Sequence, residues 1–373
     1  MSAPQTSLPF SGRPMGSFAV AVLAFLVACV GGPRADAVTI IPIFDSTITS
    51  GPDAANVEAT IKSCIAEYDG ALVDPTVVTV TFIEQTNGLG ASGYGPVPVS
   101  YSGYRSALVS HATTSEDNEA VSSLPNTVNN PVNSAGVVRM QPALALTMGL
   151  STNAAGDVIY LNTSICNVNP QTDNNPDNYS LFAVICHEMD EVLGAGGAGS
   201  YLDGTNGTPA PTDAVGPTDL FRYSFPGGVS TRSFNTIAST VCYLSINGTT
   251  NTVLAQFNQN AGGDFGDFVT GSTPLVQDAF GTPGAQPTMS VEWNMLDVVG
   301  YNWTGYKNIW CSATSMSGTG TVYSPATFSA AVAAANLVGG AGGILMTAGT
   351  YNHTGLLSTK CRLRAVNGTA RIQ

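Results

Sequence analysis

One segment narrows the choice of fold more than any other: Ser180-Leu-Phe-Ala-Val-Ile-Cys-His187-Glu188-Met-Asp-Glu191-Val-Leu-Gly194. Ser180 suits a helix N-cap, because its hydroxyl can accept from an unpaired N–H of the first turn. Gly194 suits the terminator, because it enters the left-handed region without a Cβ penalty. Between them Phe182, Ile185, Met189, Val192 and Leu193 recur at helical spacing as one apolar stripe. Val184, His187, Glu188 and Glu191 lie along another face. A histidine and two glutamates on a helix are ordinarily a solvated face. The fold must therefore be built around a mostly apolar helix whose polar stripe faces either water or a ligand.

The flanking sequence supplies further elements. Val38 to Phe44 and Val77 to Ile83 read as strands, and Asp53 to Tyr68 as a helix with Val57, Ile61, Cys64, Ile65 and Tyr68 inward. Thr86 to Gly103, rich in Gly, Ser and Pro, reads as a loop. Short helices are expected over Tyr104 to Ala112 and Glu116 to Ser123, a strand over Asp157 to Leu161, and a closing helix over Val291 to Val299 before Gly300. These elements predict an α+β domain over residues 38–305, with a mixed sheet resting on the Ser180 to Leu193 helix.

Only 10% of the 373 residues are charged and 43% are hydrophobic, so the chain can bury a substantial core and is no candidate for disorder. A net charge of −13 repels phosphate backbones, which argues against a nucleic-acid partner. Residues 1–37 read as an export signal, with Arg13 in the n-region, an apolar run from Phe18 to Val30, and a small-x-small site at Ala35-Asp36-Ala37. The run is short for a membrane span, and no other stretch is long and apolar enough. Secretion is the expected fate; Leu26-Val27-Ala28-Cys29 also resembles a lipobox, which would anchor the chain through Cys29. Beyond the signal, Cys64, Cys166, Cys186, Cys242, Cys311 and Cys361 form an even set, which in an exported chain suggests disulfides, with Cys166–Cys186 and Cys311–Cys361 as candidate pairs.

The chemistry concentrates at His187-Glu188-x-x-Glu191. Residues at i and i+4 of a helix can aim at one metal ion, and a carboxylate beside the first ligand can take a proton from water. Tyr179 to Gly194, Asp219-Leu-Phe-Arg-Tyr223, Ala255-Gln-Phe-Asn258 through Asp267, and Leu296-Asp-Val-Val-Gly-Tyr301 together resemble, in this order, a group of secreted bacterial metallopeptidases of the zincin clan. In that group some members carry H-E-x-x-H and others H-E-x-D-E-V-L-G, as here. The resemblance implies a zinc-dependent hydrolase of protein or peptide substrates, working through a metal-bound water. It implies metal binding at His187 and general-base work at Glu188, with Glu191 in the second ligand position. Oxygen at that position weakens the preference for zinc over manganese or calcium. Gly197 falls at the third-ligand position of the longer zincin pattern and cannot ligate, so a third ligand must come from elsewhere. Asp267, which falls roughly where other members carry a histidine, leads Asp219, Asp264 and Asp278. Asp264 and Asp267, set between glycines, are also a candidate calcium pair, and Arg222 is expected to pair with a carboxylate.

Composition shifts after about residue 310. An Ala-rich helix over Ser324 to Asn336, then Gly343-Ile-Leu-Met-Thr-Ala-Gly-Thr-Tyr351 and Lys360-Cys-Arg-Leu-Arg-Ala-Val-Asn-Gly368, resembles the first coil of a pectin-lyase-like right-handed parallel β-helix. Residues 306–373 are thus expected to be an incomplete β-helix segment. Ile344, Leu345, Met346, Leu356, Leu357, Leu363 and Val366 would line a core that no further coil covers, leaving the segment loosely attached. A second role follows from this: a catalytically silent zincin-like domain carried by a surface adhesin or polysaccharide-binding protein.

Overall fold

A computed structural model describes residues 37–152, 156–197, 215–233, 241–338, 343–354 and 361–373. The export signal, Cys29, Leu356 and Leu357 lie outside the described residues. The first part of the chain forms β1 (Thr39–Phe44), α1 (Ser46–Thr49), α2 (Ala54–Ala71), β2 (Val77–Glu84), β3 (Gly90–Gly93), β4 (Val97–Ser100), α3 (Tyr101–His111), α4 (Ser115–Ser123), β5 (Val137–Met140), α5 (Pro142–Thr147) and β6 (Asp157–Leu161). Then come β7 (Cys166–Asn167), β8 (Tyr179–Ser180), α6 (Leu181–Leu193), β9 (Arg222–Ser224), β10 (Thr231–Arg232), β11 (Tyr243–Ser245), β12 (Val253–Gln256) and α7 (Val291–Val299). The last part holds β13 (Ile309–Cys311), α8 (Phe328–Leu337), β14 (Ile344–Tyr351) and β15 (Leu363–Ile372). The described residues thus form a mixed α/β fold of eight α-helices and several small sheets, none of them closed.

The sheet that positions α6 has the order β1-β2-β6-β3. β1, β2 and β6 run parallel, and β3 is antiparallel to β6 at one edge. Alternation in β2 sends Val78, Val80 and Phe82 into the core. α2 packs against β1 and α6, and α6 packs against β3 and β6. Val57, Ile61, Cys64, Ile65 and Tyr68 of α2 are buried, as their spacing predicts. The 86–103 stretch is not one loop. β3 pairs with β6 and β4 with β5, because main-chain partners override the weak strand preference of Gly, Ser and Pro.

Two expectations need correction. None of the six cysteines in the described chain is bridged. Cys166 Sγ donates to the Asn162 carbonyl at 3.3 Å, while Cys186 points into the α2–α6 contact and meets Cys64 with 3.0 Å between sulfurs. The C-terminal segment is not loosely attached either. β13, β14 and β15 form a parallel sheet, and successive residues of β14 face opposite ways: Leu345 joins the main core, whereas Ile344 and Met346 join a smaller cluster with Phe328 of α8. Val366 and Trp310 also enter the main core, and Leu363 is the exposed one of the expected set. Polar contacts reinforce the seam. Arg364 pairs with Asp69 at 2.6 Å, Asn367 donates to the Ala59 carbonyl, and Asn308 and Trp310 donate to the Glu67 side chain.

Trp310 is 1% exposed, so Trp310→Ala removes a large buried ring and leaves Glu67 without its indole donor. It is expected to destabilise the chain by about 3–5 kcal/mol. Denaturant melts measure the loss directly. In limited proteolysis the wild type should be cut no faster within 310–373 than elsewhere, and the variant should be cut there first.

Candidate metal centre

α6 starts where expected: Ser180 Oγ accepts from the Ala183 N–H at 3.2 Å. It stops at Gly194, whose φ of 114° lets its N–H reach back to the Asp190 carbonyl. The polar stripe is not solvated. All of α6 except Ala183 is buried, His187, Glu188, Asp190 and Glu191 included. His187, Glu188 and Glu191 face the edge strand β3 and the 265–278 segment rather than water, while Asp190 turns to α2 and accepts from Tyr68 Oη at 2.8 Å.

His187 is the hub. Its Nδ1 donates to the Val276 carbonyl at 2.9 Å, which leaves the Nε2 lone pair facing the cluster in the neutral imidazole. Nε2 lies 3.4 Å from Glu191 Oε1 and 3.5 Å from Asp267 Oδ2. Asp267 arrives on a chain of backbone bonds. Its carbonyl accepts from Asn258 N–H, and neighbouring Phe268 exchanges bonds with Gln277 and Ala279. Glu191 Oε2 accepts from Ser92 Oγ of β3 at 2.6 Å, and Asp267 Oδ1 accepts from the Gly197 N–H and from Gln277 Nε2 at 2.9 Å. Glu188 lies beside them, 1% exposed, with Oε1 lacking a hydrogen-bond partner. Gly90 of β3 makes that space, since a Cβ there would overlap Oε1.

Three carboxylates and one imidazole in a buried pocket cannot all ionise without a compensating cation. Burial, reinforced by Glu191, pushes Glu188 well above the usual carboxylate range, and burial lifts Asp267 to about 7. Burial opposes charge on His187, but Asp267, Glu191 and Glu188 outweigh it and hold the imidazole well above its ordinary value. A divalent cation fits this set on geometric grounds also. Donor atoms, one each from His187, Glu191 and Asp267, lie within 4.8 Å of one another, and Asp267 Oδ2 accepts no hydrogen bond. Separations of 3.4 and 3.5 Å are those of neighbouring donors around one ion bonded at about 2.0–2.2 Å. Nothing in the donor set is specific to zinc.

Of the sequence-derived candidates, His187, Glu188, Glu191 and Asp267 come together. The others do not join the cluster. Asp219 Oδ2 accepts from the Gly216 N–H and Asp278 Oδ2 from the Leu275 N–H. Asp264 does not join Asp267 in any ligand group among the described residues. Arg222 makes no ion pair within reach of a carboxylate among the described residues. It donates to the Phe265 carbonyl at 2.5 Å and lies over the Phe257 ring at 4.4 Å. Sequence reading missed Ser92, Val276 and Gln277, and gave Gly197 no role. Its N–H holds Asp267, and a Cβ at that position would overlap the Glu191 carboxylate. No protein-family model, curated protein or solved structure matches this chain.

Proposed function

We propose that this chain is a secreted, metal-dependent endopeptidase of the zincin type, with the ion held by His187, Glu191 and Asp267. The observation that carries this reading is the convergence of those three side chains, from α6 and a segment far away in sequence, beside the unpartnered oxygen of Glu188. A divalent ion there supplies Lewis acidity, polarising a carbonyl and lowering the pKa of water. Glu188 takes the proton from the attacking water and passes it to the leaving nitrogen. β3 is an edge strand lying along α6, so its unpaired backbone groups can hold an extended peptide beside the site.

Metal content after purification without chelator, with casein digestion by wild type and Glu188→Ala, tests the reading. One bound divalent ion in both proteins, and hydrolysis at least about a hundredfold slower in the variant, is expected. Equal digestion by both would sink the peptidase. A second reading rests on the burial of His187, Glu188 and Glu191 at 0%, 1% and 3% exposure. Closed sites are typical of structural metals, which suits a silent domain in an adhesin or polysaccharide binder. Bound metal with no hydrolysis of any protein substrate is the outcome that favours it.

A further inference from the structure

Gln277 stands in the wall of the cluster and is fully buried. Its Nε2 donates to Asp267 Oδ1 at 2.9 Å and lies 3.4 Å from His187 Nε2, while its Oε1 has no partner. The distance to His187 Nε2 matches those of Glu191 Oε1 and Asp267 Oδ2 from the same atom, 3.4 and 3.5 Å. Three terminal atoms thus stand equally far from the imidazole nitrogen, as donors sharing one ion with it would. The backbone on both sides fixes the amide there. Gln277 N–H donates to Glu292 Oε1 of α7, and Gly196, at φ +83°, passes so close that a Cβ would overlap the amide group.

In this arrangement an amide N–H faces His187 Nε2 across 3.4 Å. With a cation at Nε2, that same N–H would face positive charge. Turning the amide over removes the conflict and brings the orphaned Oε1 to the ion. Asp267 Oδ1 keeps the Gly197 N–H after the turn, so no acceptor is stranded. We propose that Gln277 is a fourth protein ligand, binding the ion through Oε1 beside His187, Glu191 and Asp267. The shell then holds one nitrogen and three oxygens from the protein. This inference rests on the metal-binding reading above.

Cobalt(II) is the probe, because its visible d–d absorption changes with the number and type of ligands. The full chain is titrated as wild type, Gln277→Leu and Gln277→Glu, with circular dichroism to check folding. Glu keeps an oxygen pointing at the ion but loses the N–H donor; Leu loses both. Expected are a changed cobalt spectrum and at least about tenfold weaker binding in Gln277→Leu, with binding retained or strengthened in Gln277→Glu. Should Gln277→Leu fail to fold, Gln277→Glu carries the test alone, since a mere donor to Asp267 cannot be replaced by a carboxylate. Weakened binding in Gln277→Glu, or a wild-type spectrum in Gln277→Leu, overturns the assignment while leaving the three-ligand site standing. A wild type that takes up no cobalt overturns both.

Discussion

Gly197→Ala is expected to abolish tight divalent binding, weakening it by at least about a hundredfold, although no ligand is mutated. Two effects act together. A Cβ at this position overlaps the Glu191 carboxylate, so one must move. The residue also sits at φ +45°, a conformation that costs a non-glycine about 1–2 kcal/mol. Relieving either strain shifts the Gly197 N–H away from Asp267 Oδ1 or turns Glu191 off Ser92. Isothermal titration with Mn(II) measures the result. Gly149→Ala, at φ +66° with open space around its Cβ and far from the cluster in sequence, is a control for the backbone cost alone. Unchanged affinity in Gly197→Ala would mean that Glu191 does not bind the ion.

The second large effect concerns stability against pH. Asp157 opens β6 opposite Val80, is 1% exposed, and neither carboxyl oxygen has a hydrogen-bond partner. Burial raises its pKa to about 7. In the unfolded chain the group ionises near its ordinary value, about 3.9. Between those limits the folded state binds more protons than the unfolded one, so stability falls as pH rises from about 4 to about 7 and then levels off. The full span is on the order of 3–4 kcal/mol. In Asp157→Asn this share of the slope should vanish. The stability of variant minus wild type should therefore climb by that amount between pH 4 and pH 8, in favour of the variant. Urea melts at the two pH values measure it; a difference that does not change with pH would show that Asp157 is not held protonated.

What could be read in the sequence follows a physical division. α6 was legible to within a residue because its signals are local: a hydroxyl at the N-cap, an apolar repeat and a glycine stop. The burial of its polar stripe was not, because it depends on β3 and on residues 265–278, which meet α6 only after the chain has folded. Asp267 was reached through a resemblance, and its Oδ2 lies 3.5 Å from His187 Nε2. Gln277, Ser92 and the Val276 carbonyl carry no local signature; they belong to short or irregular segments defined by what they touch. The same blindness made 86–103 a loop, although its strands have partners in β5 and β6. It also left the C-terminal segment unattached, since nothing local in Trp310 or Arg364 announces Glu67 or Asp69 as partners.

Ser180, the cap of α6, also meets Tyr323 at 2.9 Å, and the Tyr323 ring packs edge-on against Phe182. On the far side, α2 carries Cys64 and Tyr68 toward α6 and Asp69 toward Arg364. Synthesis delivers these parts in order, so a nascent chain that has just released His187 still lacks Tyr323 and the strands that back α2. The helix α2 that backs the site helix gains its partners Arg364 and Asn367 later still. Whatever chemistry the cluster supports, its helix is completed late in synthesis, a timing built into the order of the chain.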